Sequence, residues 1–449
     1  MQPERVVIIG GGFSGAMMAI NLARFGGPKA TIVERRGVFG PGVAFGGRNY
    51  GQVLNVRSSN MSAYPDDPCH FERWLSDRGL ASDGFALRTD YGRYLADEID
   101  AVSTERPGRI ERIAEEAVEA RRSDDRWIIR CDGGTTLHAD VMVLASGLAA
   151  PAVPPGIPQD VVASHRFVSD PWRDDVLASG FKTSRVLLIG TGLTMVDIAL
   201  LLANNWPDAH LHALSRRGMV PQPHGSAHPA SRLGEAPPAE VRPLVRWVRN
   251  AVDEYGWRAA IDRMRPYTQT IWQRFSPSDR RRFMVHLRPF WDVHRHRMAP
   301  ELAERIDALQ SDGRLAIHAG RLEAARLVRD GVAVSWQPRG TAARVVDTFD
   351  LVVNCTGPAP IDARNAGPLM AGLLEEKLVL RHPTGLGIEV DDQSRAIGSV
   401  GSADPAIYAL GALTRGRFWE ISAVPDIRLQ AWNLARKLSN AHWVGGEGL

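Results

Sequence analysis

Three glycines and one acidic residue near the start of the chain have the spacing of a loop that binds a dinucleotide. Gly10, Gly12 and Gly15 follow an apolar run at residues 6–9, and Glu34 ends the next apolar run. Glycine at these positions allows a tight turn, a close approach of the backbone to a diphosphate, and close packing of the following helix. A carboxylate placed like that of Glu34 accepts hydrogen bonds from ribose hydroxyls and repels a 2′-phosphate. An ordinary glycine turn is the alternative.

The chain contains a second loop of the same kind, after the apolar run at residues 186–189. Gly190 and Gly192 take the first two glycine positions, whereas Met195 takes the third. A methionine at that position is expected to keep the helix and the strand further apart than a glycine would. The residues that we expect at the bound phosphate are Gly190, Gly192, Leu193 and Thr194.

Ser215, Arg216 and Arg217 stand where the first loop has its acid, at the end of the next predicted strand. Two guanidinium groups and a hydroxyl suit a 2′-phosphate, because arginine makes forked, charge-assisted hydrogen bonds to phosphate. The second loop is therefore predicted to bind NADPH rather than NADH. A solvated basic turn in an arginine-rich chain is the alternative.

The two loops predict an α/β fold with two Rossmann-like dinucleotide-binding domains, one that holds FAD permanently and one that admits NADPH. Apolar runs that end at Gly147 and Gly357, and another near Gly411, are expected to return the chain to the cofactor edge of a doubly wound sheet. The proline-rich stretch after Gly147 is typical of a linker. The predicted FAD domain comprises residues 1–150 and 351–449, and the inserted NADPH domain comprises residues 151–350.

A helical insertion is predicted at about residues 231–299, a segment rich in tryptophan and arginine. A continuous helix through WDVHRHRM would bring His294 and Arg297 onto a face of their own, away from Trp291. We expect these three residues to line a substrate pocket whose arginine and histidine hold an anionic group such as a carboxylate. The alternative is a helical subdomain of buried tryptophan and salt-bridged arginine. His294 and His296 would diverge on a helix, so no metal site is expected.

Beyond these patterns, the chain resembles bacterial FAD/NAD(P)-binding proteins that are related to flavin-containing monooxygenases and N-hydroxylases. The most specific similarity is the block VLNVRSSNMSAYPDDPCHFERWL at residues 53–75. Further matching blocks are GPGVAFG, GTGLTMVD, LSRRG, RFMVHLRPFWDVHRHRMAP and GRFWEISAVPDIRLQA. The likeness extends over nearly the whole chain, and it implies the two-domain fold and the cofactors FAD and NADPH.

The resemblance also implies which residues surround the FAD. The first glycine loop and Glu34 would meet its diphosphate and ribose, while residues 55–62 would form a loop beside the flavin ring. The predicted contacts are Gly10, Gly12, Phe13, Ser14, Gly15, Glu34, Arg35, Asn55, Met61, Ser62, Gly147, Gly411 and Val424.

A helix is predicted to begin near Val424, within the last matching block. Backbone amides at a helix start favour negative charge, so we expect them to face the pyrimidine carbonyl of the flavin. The alternative for this helix is a solvated face that bears Asp426 and Arg428.

One fingerprint of the monooxygenases, F-x-G-x-x-x-H-x-x-x-W, is degenerate in this chain. His165 and Trp172 are present, but their spacing differs and the phenylalanine is missing. This departure argues against Baeyer–Villiger oxidation and leaves N-hydroxylation more open.

Cys69, Cys131 and Cys355 lie far apart, so no redox-active pair is expected. Electrons from NADPH would then pass through the flavin to dioxygen or to a small organic acceptor. We predict a monooxygenase that N-hydroxylates a small, amino-acid-like amine through a flavin C4a-peroxide, with no side-chain nucleophile to assign as catalytic. A reductase that never oxygenates its substrate is one alternative, and a non-enzymatic protein that merely holds FAD is another.

Composition limits the partners of the protein. The 449-residue chain has a formal net charge of +3, which is too small to favour a nucleic acid. No apolar run of membrane-spanning length and no signal peptide occurs, so a cytoplasmic protein without membrane contact is expected. The expected partners are a small-molecule substrate and dioxygen, while the oligomeric state, including a homo-oligomer, stays open.

Overall fold

The computed structural model describes residues 3–47, 51–172, 184–225 and 236–441. The chain forms two compact units, one from Met1–Ala149 with Pro360–Leu449 and the other from Ala150–Ala359. It therefore leaves the first unit once, completes the second unit, and returns.

Strands and helices alternate along much of the described chain. The strands, in chain order, are β1 Arg5–Ile9, β2 Lys29–Val33, β3 Ile110–Ile113, β4 Ala117–Ser123, β5 Arg126–Cys131, β6 Thr136–Ala139, β7 Val141–Leu144, β8 Phe167–Val168, β9 Arg185–Ile189, β10 His210–Ser215, β11 Leu315–Val328, β12 Gly331–Pro338, β13 Val345–Phe349, β14 Leu351–Asn354, β15 Arg395–Ile397 and β16 Ala403–Ala409. The helices are α1 Phe13–Arg24, α2 Gly42–Phe45, α3 His70–Ser76, α4 Arg88–Glu105, α5 Gln159–Val162, α6 Leu193–Asn205, α7 Val241–Met264, α8 Thr268–Arg274, α9 Pro277–Arg282, α10 Arg288–Arg295, α11 Pro300–Ser311, α12 Pro368–Glu375 and α13 Val424–Leu438. Short 3-10 turns lie at Ser58–Asn60, Arg265–Tyr267 and Gly411–Thr414, and a π turn lies at Phe283–Leu287.

The first unit is built on a six-stranded sheet in the order β15-β16-β7-β1-β2-β3. The strands from β16 to β3 pair in parallel, while β15, at the edge, is antiparallel. One face packs against α1, α4 and α13, and the other against α12 and a small antiparallel sheet of β4, β5 and β6. Because both faces are covered, β1 and β7 read as continuous apolar runs in the sequence.

The second unit repeats this plan in a sheet of order β13-β12-β11-β10-β9-β14-β8. Strands β8, β14, β9, β10 and β11 are parallel, and β12 and β13 extend the sheet in antiparallel fashion. In each unit the strand before the glycine loop lies between the next strand of the chain and a later one, as β2-β1-β7 and β10-β9-β14. This is the arrangement of a doubly wound dinucleotide-binding sheet, so the predicted fold class is confirmed.

One strand belongs to a different sheet from the one predicted. Residues 351–357 are expected in the first domain, but β14 pairs in parallel with β9 of the second sheet. The chain returns to the first unit at Pro360 rather than at residue 351. An apolar run does not reveal which of two parallel sheets it joins, since both sheets bury their strands on both faces.

Helices α7 to α11 occupy the connection between β10 and β11. The predicted helical insertion at residues 231–299 falls on α7 to α10, and its first residues, 231–235, lie outside the described ranges. Gly256 in α7 has φ +76° and ψ 157°, so two helical segments meet there at a kink.

Helix α10 ends at Arg295, so the predicted continuous helix through residue 298 is wrong. The backbone of Met298 instead pairs with a neighbouring segment. Its N–H donates to the carbonyl oxygen of Gln222 at 3.1 Å, and its carbonyl oxygen accepts from the N–H of His224 at 3.0 Å. These tertiary hydrogen bonds replace the helical ones.

Candidate functional site

The first glycine loop has the tight turn that its sequence predicts. Gly10 has φ +107°, and a Cβ there would lie 2.5 Å from the carbonyl oxygen of Ala145. A Cβ on Gly15 would overlap the carbonyl oxygen of Gly10. Position 10 therefore needs glycine because of the positive φ of the turn. Position 15 needs glycine because α1 lies directly against the loop.

Helix α1 presents an uncapped N-terminus at this loop. Its N-cap residue is Gly12, which has no side chain, and its first turn, opened by Phe13 and Ser14, contains no acidic residue. Backbone N–H groups at such a helix start have no partner within the helix, and together with the helix dipole they favour an anion. The loop therefore fits the diphosphate of a dinucleotide.

Glu34 lies at the end of β2 and is bound to the loop. Its Oε2 accepts a hydrogen bond from the N–H of Gly11 at 2.8 Å, and its Oε1 accepts one from the N–H of Arg36 at 3.1 Å. The carboxylate is thus fixed where the ribose of a dinucleotide would lie. Arg35, predicted beside it, forms an exposed ion pair with Glu116 at 3.3 Å.

The turn after β16 packs onto the start of α1, and it brings Ser14 and Gly411 side by side. Gly411 has φ +64°, and a Cβ there would overlap the hydroxyl of Ser14. The N–H of Gly411 donates to Oε1 of Gln430 at 2.8 Å, and the side-chain amide of Gln430 donates to the hydroxyls of Ser394 and Thr414 at 3.1 Å each. No sequence pattern predicts this role of Gln430, because one glutamine in an amphipathic helix has no distinctive spacing.

The loop predicted beside the flavin is anchored from within the first unit. Met61 belongs to the hydrophobic core, and the hydroxyl of Ser62 donates to the carbonyl oxygen of Asp67 at 2.6 Å. Both side chains are buried, so contacts of these two residues with a flavin would come from their backbone. Asn55, on the same loop, is partly buried.

Helix α13 holds this loop through Arg428. Its Nη1 donates to the carbonyl oxygen of Ser62 at 2.7 Å, and burial lowers the pKa of the Arg428 guanidinium below its ordinary value. The solvated face considered for this helix is therefore wrong at Arg428. The helix itself begins at the buried Val424, after Ala423, and has no side-chain cap.

Buried aromatic residues fix the segment that shows the most specific sequence similarity. The rings of Tyr91 and Tyr94 pack with centroids 5.6 Å apart. The hydroxyl of Tyr64 donates to Glu98 at 2.6 Å, and Nδ1 of His70 lies 2.9 Å from the hydroxyl of Tyr94. Burial raises the pKa of all three tyrosines above the ordinary value, so they stay neutral and rigidify the segment.

The second glycine loop has a similar turn with a different third position. Gly190 has φ +114°, and a Cβ there would lie 2.5 Å from the carbonyl oxygen of Cys355, the residue after β14. Gly192 is the N-cap of α6, which Leu193 and Thr194 open, and open space surrounds the position of its missing Cβ. Met195 is fully buried, so it serves the core of this unit.

Arg216, one of the three residues predicted at a 2′-phosphate, lines a pocket together with residues of β11, β12 and the turn that follows. The hydroxyl of Ser215 lies 2.8 Å from that of Thr191 and so joins the end of β10 to the glycine loop. The guanidinium of Arg217 lies over the ring of Phe290, 5.1 Å from its centroid.

Arg297 is used inside the second unit. Its side chain is 5% exposed, and its two terminal nitrogens contact the two carboxylate oxygens of Asp262 at 3.0 Å each. Its Nε donates to the carbonyl oxygen of His294 at 2.8 Å. The ring of His294 meets Trp257 edge-on, and Trp291 is buried. Arg297 thus fits the salt-bridged alternative, while a substrate role for Trp291 and His294 stays a prediction.

The cysteines are all free thiols, with Cys69 exposed and Cys131 and Cys355 buried. Within the described ranges, no group of three or more histidine, cysteine, aspartate or glutamate side chains is placed to hold a metal ion. Among the helices of those same ranges, none is both long and apolar enough to cross a membrane.

Comparisons with known proteins find a family model that matches the part of the chain containing the first glycine loop. Residues 7–149 match the family model described as FAD-NAD(P)-binding. A Baeyer–Villiger monooxygenase of Streptomyces coelicolor is 24% identical over 217 residues, which are 46% of this chain and 34% of that protein. An uncharacterised monooxygenase of Mycobacterium tuberculosis is 37% identical over 87 residues, which are 19% of this chain and 17% of that protein. The matches thus span about a third or less of these relatives.

Solved structures of similar fold extend over the whole chain. An ornithine N-hydroxylase of Kutzneria sp. 744 has a TM-score of 0.67 at 16% identity, over 98% of this chain and 99% of that one. The L-lysine 6-monooxygenase of Pseudomonas syringae has a TM-score of 0.64 at 17% identity, over 97% and 99%. A thioredoxin reductase of Lactococcus lactis has a TM-score of 0.52 at 14% identity, over 97% and 99%. At these identities the likeness is one of fold.

Residues 7–149 are therefore similar to FAD-NAD(P)-binding domains. The chain as a whole has the fold of the ornithine and lysine hydroxylases. The resemblance stated from the sequence blocks is confirmed.

Proposed function

We propose that the protein is an FAD-dependent monooxygenase that uses NADPH to N-hydroxylate a small, amino-acid-like amine. The observation that carries the proposal is the pair of glycine loops. Each loop ends a buried parallel strand and opens an uncapped helix, and the two differ in the charge at the end of the following strand, which is Glu34 in one and Arg216 in the other. Two dinucleotides, one with free ribose hydroxyls and one with a 2′-phosphate, would account for the two loops.

The charges assign the two cofactors. FAD belongs at the first loop, because the carboxylate of Glu34 suits free ribose hydroxyls and repels a 2′-phosphate. NADPH belongs at the second loop, because the guanidinium of Arg216 suits that phosphate. When bound, FAD supplies the redox chemistry, since it can accept a hydride from NADPH and then react with dioxygen.

The chain's own residues contribute binding and positioning. Backbone amides at the starts of α1 and α6 hold the two diphosphates. The hydrogen bond from Arg428 to Ser62 keeps the flavin loop against α13, and Gln430 keeps the turn at Gly411 in place. By holding these segments in place, the two residues would help to keep water away from a bound flavin, which is what oxygen transfer requires of the protein.

The substrate class is suggested by proteins of similar fold, which include an ornithine N-hydroxylase and an L-lysine 6-monooxygenase. A small amine with amino-acid character is therefore the substrate that we propose, with dioxygen as the second. Arg297 is not available to a substrate carboxylate, because Asp262 occupies its terminal nitrogens. Trp291 and His294 are the residues of the helical segment that we keep as candidates.

The test is a parallel measurement of NADPH oxidation, oxygen uptake and product with a panel of amines, ketones and sulfides. We expect an amine such as ornithine or lysine to accelerate NADPH oxidation and to suppress release of hydrogen peroxide, with a hydroxylamine as the product. Oxidation of a ketone to an ester instead would overturn N-hydroxylation. Substrate-independent reduction of quinones or dyes, without any oxygenated product, would overturn the monooxygenase.

A reductase that never oxygenates its substrate is the second candidate, because a thioredoxin reductase shares the fold. The cysteines argue against disulfide reduction, since Cys131 and Cys355 are buried and only Cys69 is exposed. Turnover without oxygen separates the two candidates. A reductase continues with NADPH and its organic substrate, whereas a monooxygenase stops after one reduction of its flavin.

A further inference from the structure

A pocket in the second unit, at the end of β10, has three arginines among its eight lining residues. Its volume is about 360 Å³, and Arg216, Arg321 and Arg339 line it together with neutral residues of β11, β12 and the turn that follows. None of the described residues that line it is acidic. The volume lies at the lower end of the range for pockets that hold small ligands.

The strand register explains why arginines distant in the sequence meet here. Strands β10 and β11 are parallel, with Ser215 opposite Ala319, so Arg216 leaves β10 at the edge that Arg321 approaches along β11. Strand β12 returns along β11, and the N–H of Arg339 donates to the carbonyl oxygen of Ala319 at 2.9 Å. Three separate segments therefore each contribute one arginine to the lining of the same pocket.

These guanidiniums have no counter-charge within the part of the chain that the structure describes. Arg216, Arg321 and Arg339 form no ion pair there, whereas Arg344 nearby contacts Glu323 at 2.6 Å. Glu323 is the acidic residue of β11, and Arg344 already neutralises it. Three like charges that share one opening repel one another, and entry of a dianion relieves that repulsion.

We propose that this pocket binds the 2′-phosphate of NADPH, with Arg321 and Arg339 as specificity-determining residues beside Arg216. The inference rests on the proposed function, in which the second loop binds NADPH. The ribose of a dinucleotide held at the start of α6 lies at the end of the following strand, β10, where the pocket opens. A phosphate monoester has close to two negative charges at neutral pH, and guanidiniums bind it through forked hydrogen bonds.

The assignment changes the predicted phosphate site in two ways. It adds Arg321 of β11 and Arg339, which directly follows β12, to the residues that the second glycine loop predicts. It also removes Arg217, whose guanidinium lies over Phe290. The site then consists of three arginines from three segments rather than of adjacent residues on one turn.

The experiment compares two probes, adenosine 2′,5′-bisphosphate and 5′-AMP, by calorimetry on the full-length protein with its flavin. The variants are Arg321→Ala and Arg339→Ala, with Arg326→Ala as a matched control, because Arg326 is exposed on the same strand but does not line the pocket. We expect each pocket variant to weaken binding of the bisphosphate by about 10- to 100-fold, the effect of one lost charge-assisted contact. Binding of 5′-AMP should not change in any variant.

Each outcome decides a separate point. If the wild-type protein binds the bisphosphate more tightly than 5′-AMP but both pocket variants bind it equally well, the inference is wrong and NADPH stays at the second loop. If the wild-type protein binds neither probe, the coenzyme assignment of the proposed function fails as well. If inorganic phosphate competes as strongly as the bisphosphate, the pocket is a general anion site and the inference is wrong.

Discussion

Glu34 and Arg216 show how one kind of loop is adapted to two ligands at the level of single residues. Glu34 is fixed by the amides of Gly11 and Arg36, whereas Arg216 stays exposed beside Ser215, which bonds to the glycine loop. One strand end therefore presents negative charge and the other presents positive charge. We propose that this difference directs FAD to the first loop and NADPH to the second.

Replacing Glu34 with glutamine should weaken flavin binding without unfolding the protein. The neutral amide is a weaker acceptor for the two backbone N–H groups, so the loop loses its fixed position. We expect the affinity for FAD to fall by about 1.5–3 kcal/mol, as for other hydrogen bonds to charged groups. Flavin retention after dialysis measures this. Glu116→Gln, which removes the exposed ion pair with Arg35, is the control, and equal retention by the two variants would contradict the role of Glu34.

Replacing Arg216 with alanine should separate the two nicotinamide coenzymes. We expect KM for NADPH to rise about 10- to 100-fold, while KM for NADH changes little, because NADH lacks the 2′-phosphate. Arg217→Ala should have a smaller effect, since its guanidinium lies over Phe290. Steady-state kinetics with both coenzymes provide the measurement. Equal increases for NADPH and NADH in Arg216→Ala would remove the residue from the phosphate site.

Arg297→Ala tests whether this arginine supports the fold or the substrate. The change removes the two contacts with Asp262 and the hydrogen bond to His294, so we expect a loss of about 1–3 kcal/mol in the free energy of unfolding. Urea unfolding measures it, with the exposed Arg242→Ala in α7 as control. A variant of unchanged stability with a raised KM for the amine would restore Arg297 as a substrate residue.

At the level of whole elements, the close packing of α1 on its glycine loop depends on the absence of a side chain at Gly15. A Cβ on Gly15 would overlap the carbonyl oxygen of Gly10, so Gly15→Ala must push the helix away from the loop. We expect loss of flavin and a destabilisation of about 1–3 kcal/mol, the usual effect of overpacking. Flavin content and thermal unfolding measure the two effects.

Gly372→Ala is the matched control for this change. Gly372 lies within α12, and open space surrounds the position of its missing Cβ. Alanine in a helix interior is more favourable than glycine by about 0.5–1 kcal/mol, so this variant should be as stable as the wild type or more so. Similar losses of flavin and stability in Gly15→Ala and Gly372→Ala would show that the close packing of α1 on its loop does not cause the effect.

The elements around each loop could be predicted because their signals are local. A buried strand, a glycine turn and a helix follow one another within a few tens of residues, and each has its own pattern. The sheet to which residues 351–354 belong and the end of α10 could not be predicted. Both depend on pairing with distant segments, namely β9 and the backbone around Gln222.

The same division holds for the candidate site. Gly10, Gly15 and Glu34 follow from spacing alone. Gln430 and Arg428 do not, because their roles depend on which turn and which loop the fold brings to α13. Arg321 of β11 and Arg339, just after β12, likewise meet through strand register, which no short motif encodes.

For the molecule as a whole, a pair of stacked histidines in the second unit couples stability to pH. The rings of His212 and His318 lie 5.4 Å apart, with Nδ1 of the first 3.1 Å from Nε2 of the second. Burial lowers the pKa of both histidines below the ordinary 6.5, and Arg185 lowers that of His212 further, while Asp347 opposes the shift. The pair is therefore neutral in the folded protein at neutral pH.

We expect the free energy of unfolding to fall as the pH drops below about 6.5, because the unfolded chain then binds protons that the folded pair does not. The stability that this pair provides is fully present above that pH. Urea unfolding at about pH 7.5 and about pH 5.5 should show a larger decrease for the wild type than for the double variant His212→Gln, His318→Gln. Equal decreases would show that other groups cause the pH dependence.

The first unit is assembled from both ends of the chain, since β16 completes its sheet beside β7 and α13 packs on the same face as α1. A ribosome delivers residues 150–359 entire before β16 and α13 exist. The inserted unit can thus finish folding during translation, whereas the N-terminal segment must wait with one edge of β7 unpaired. We therefore expect that edge to be open to pairing with other chains until β16 has been synthesised.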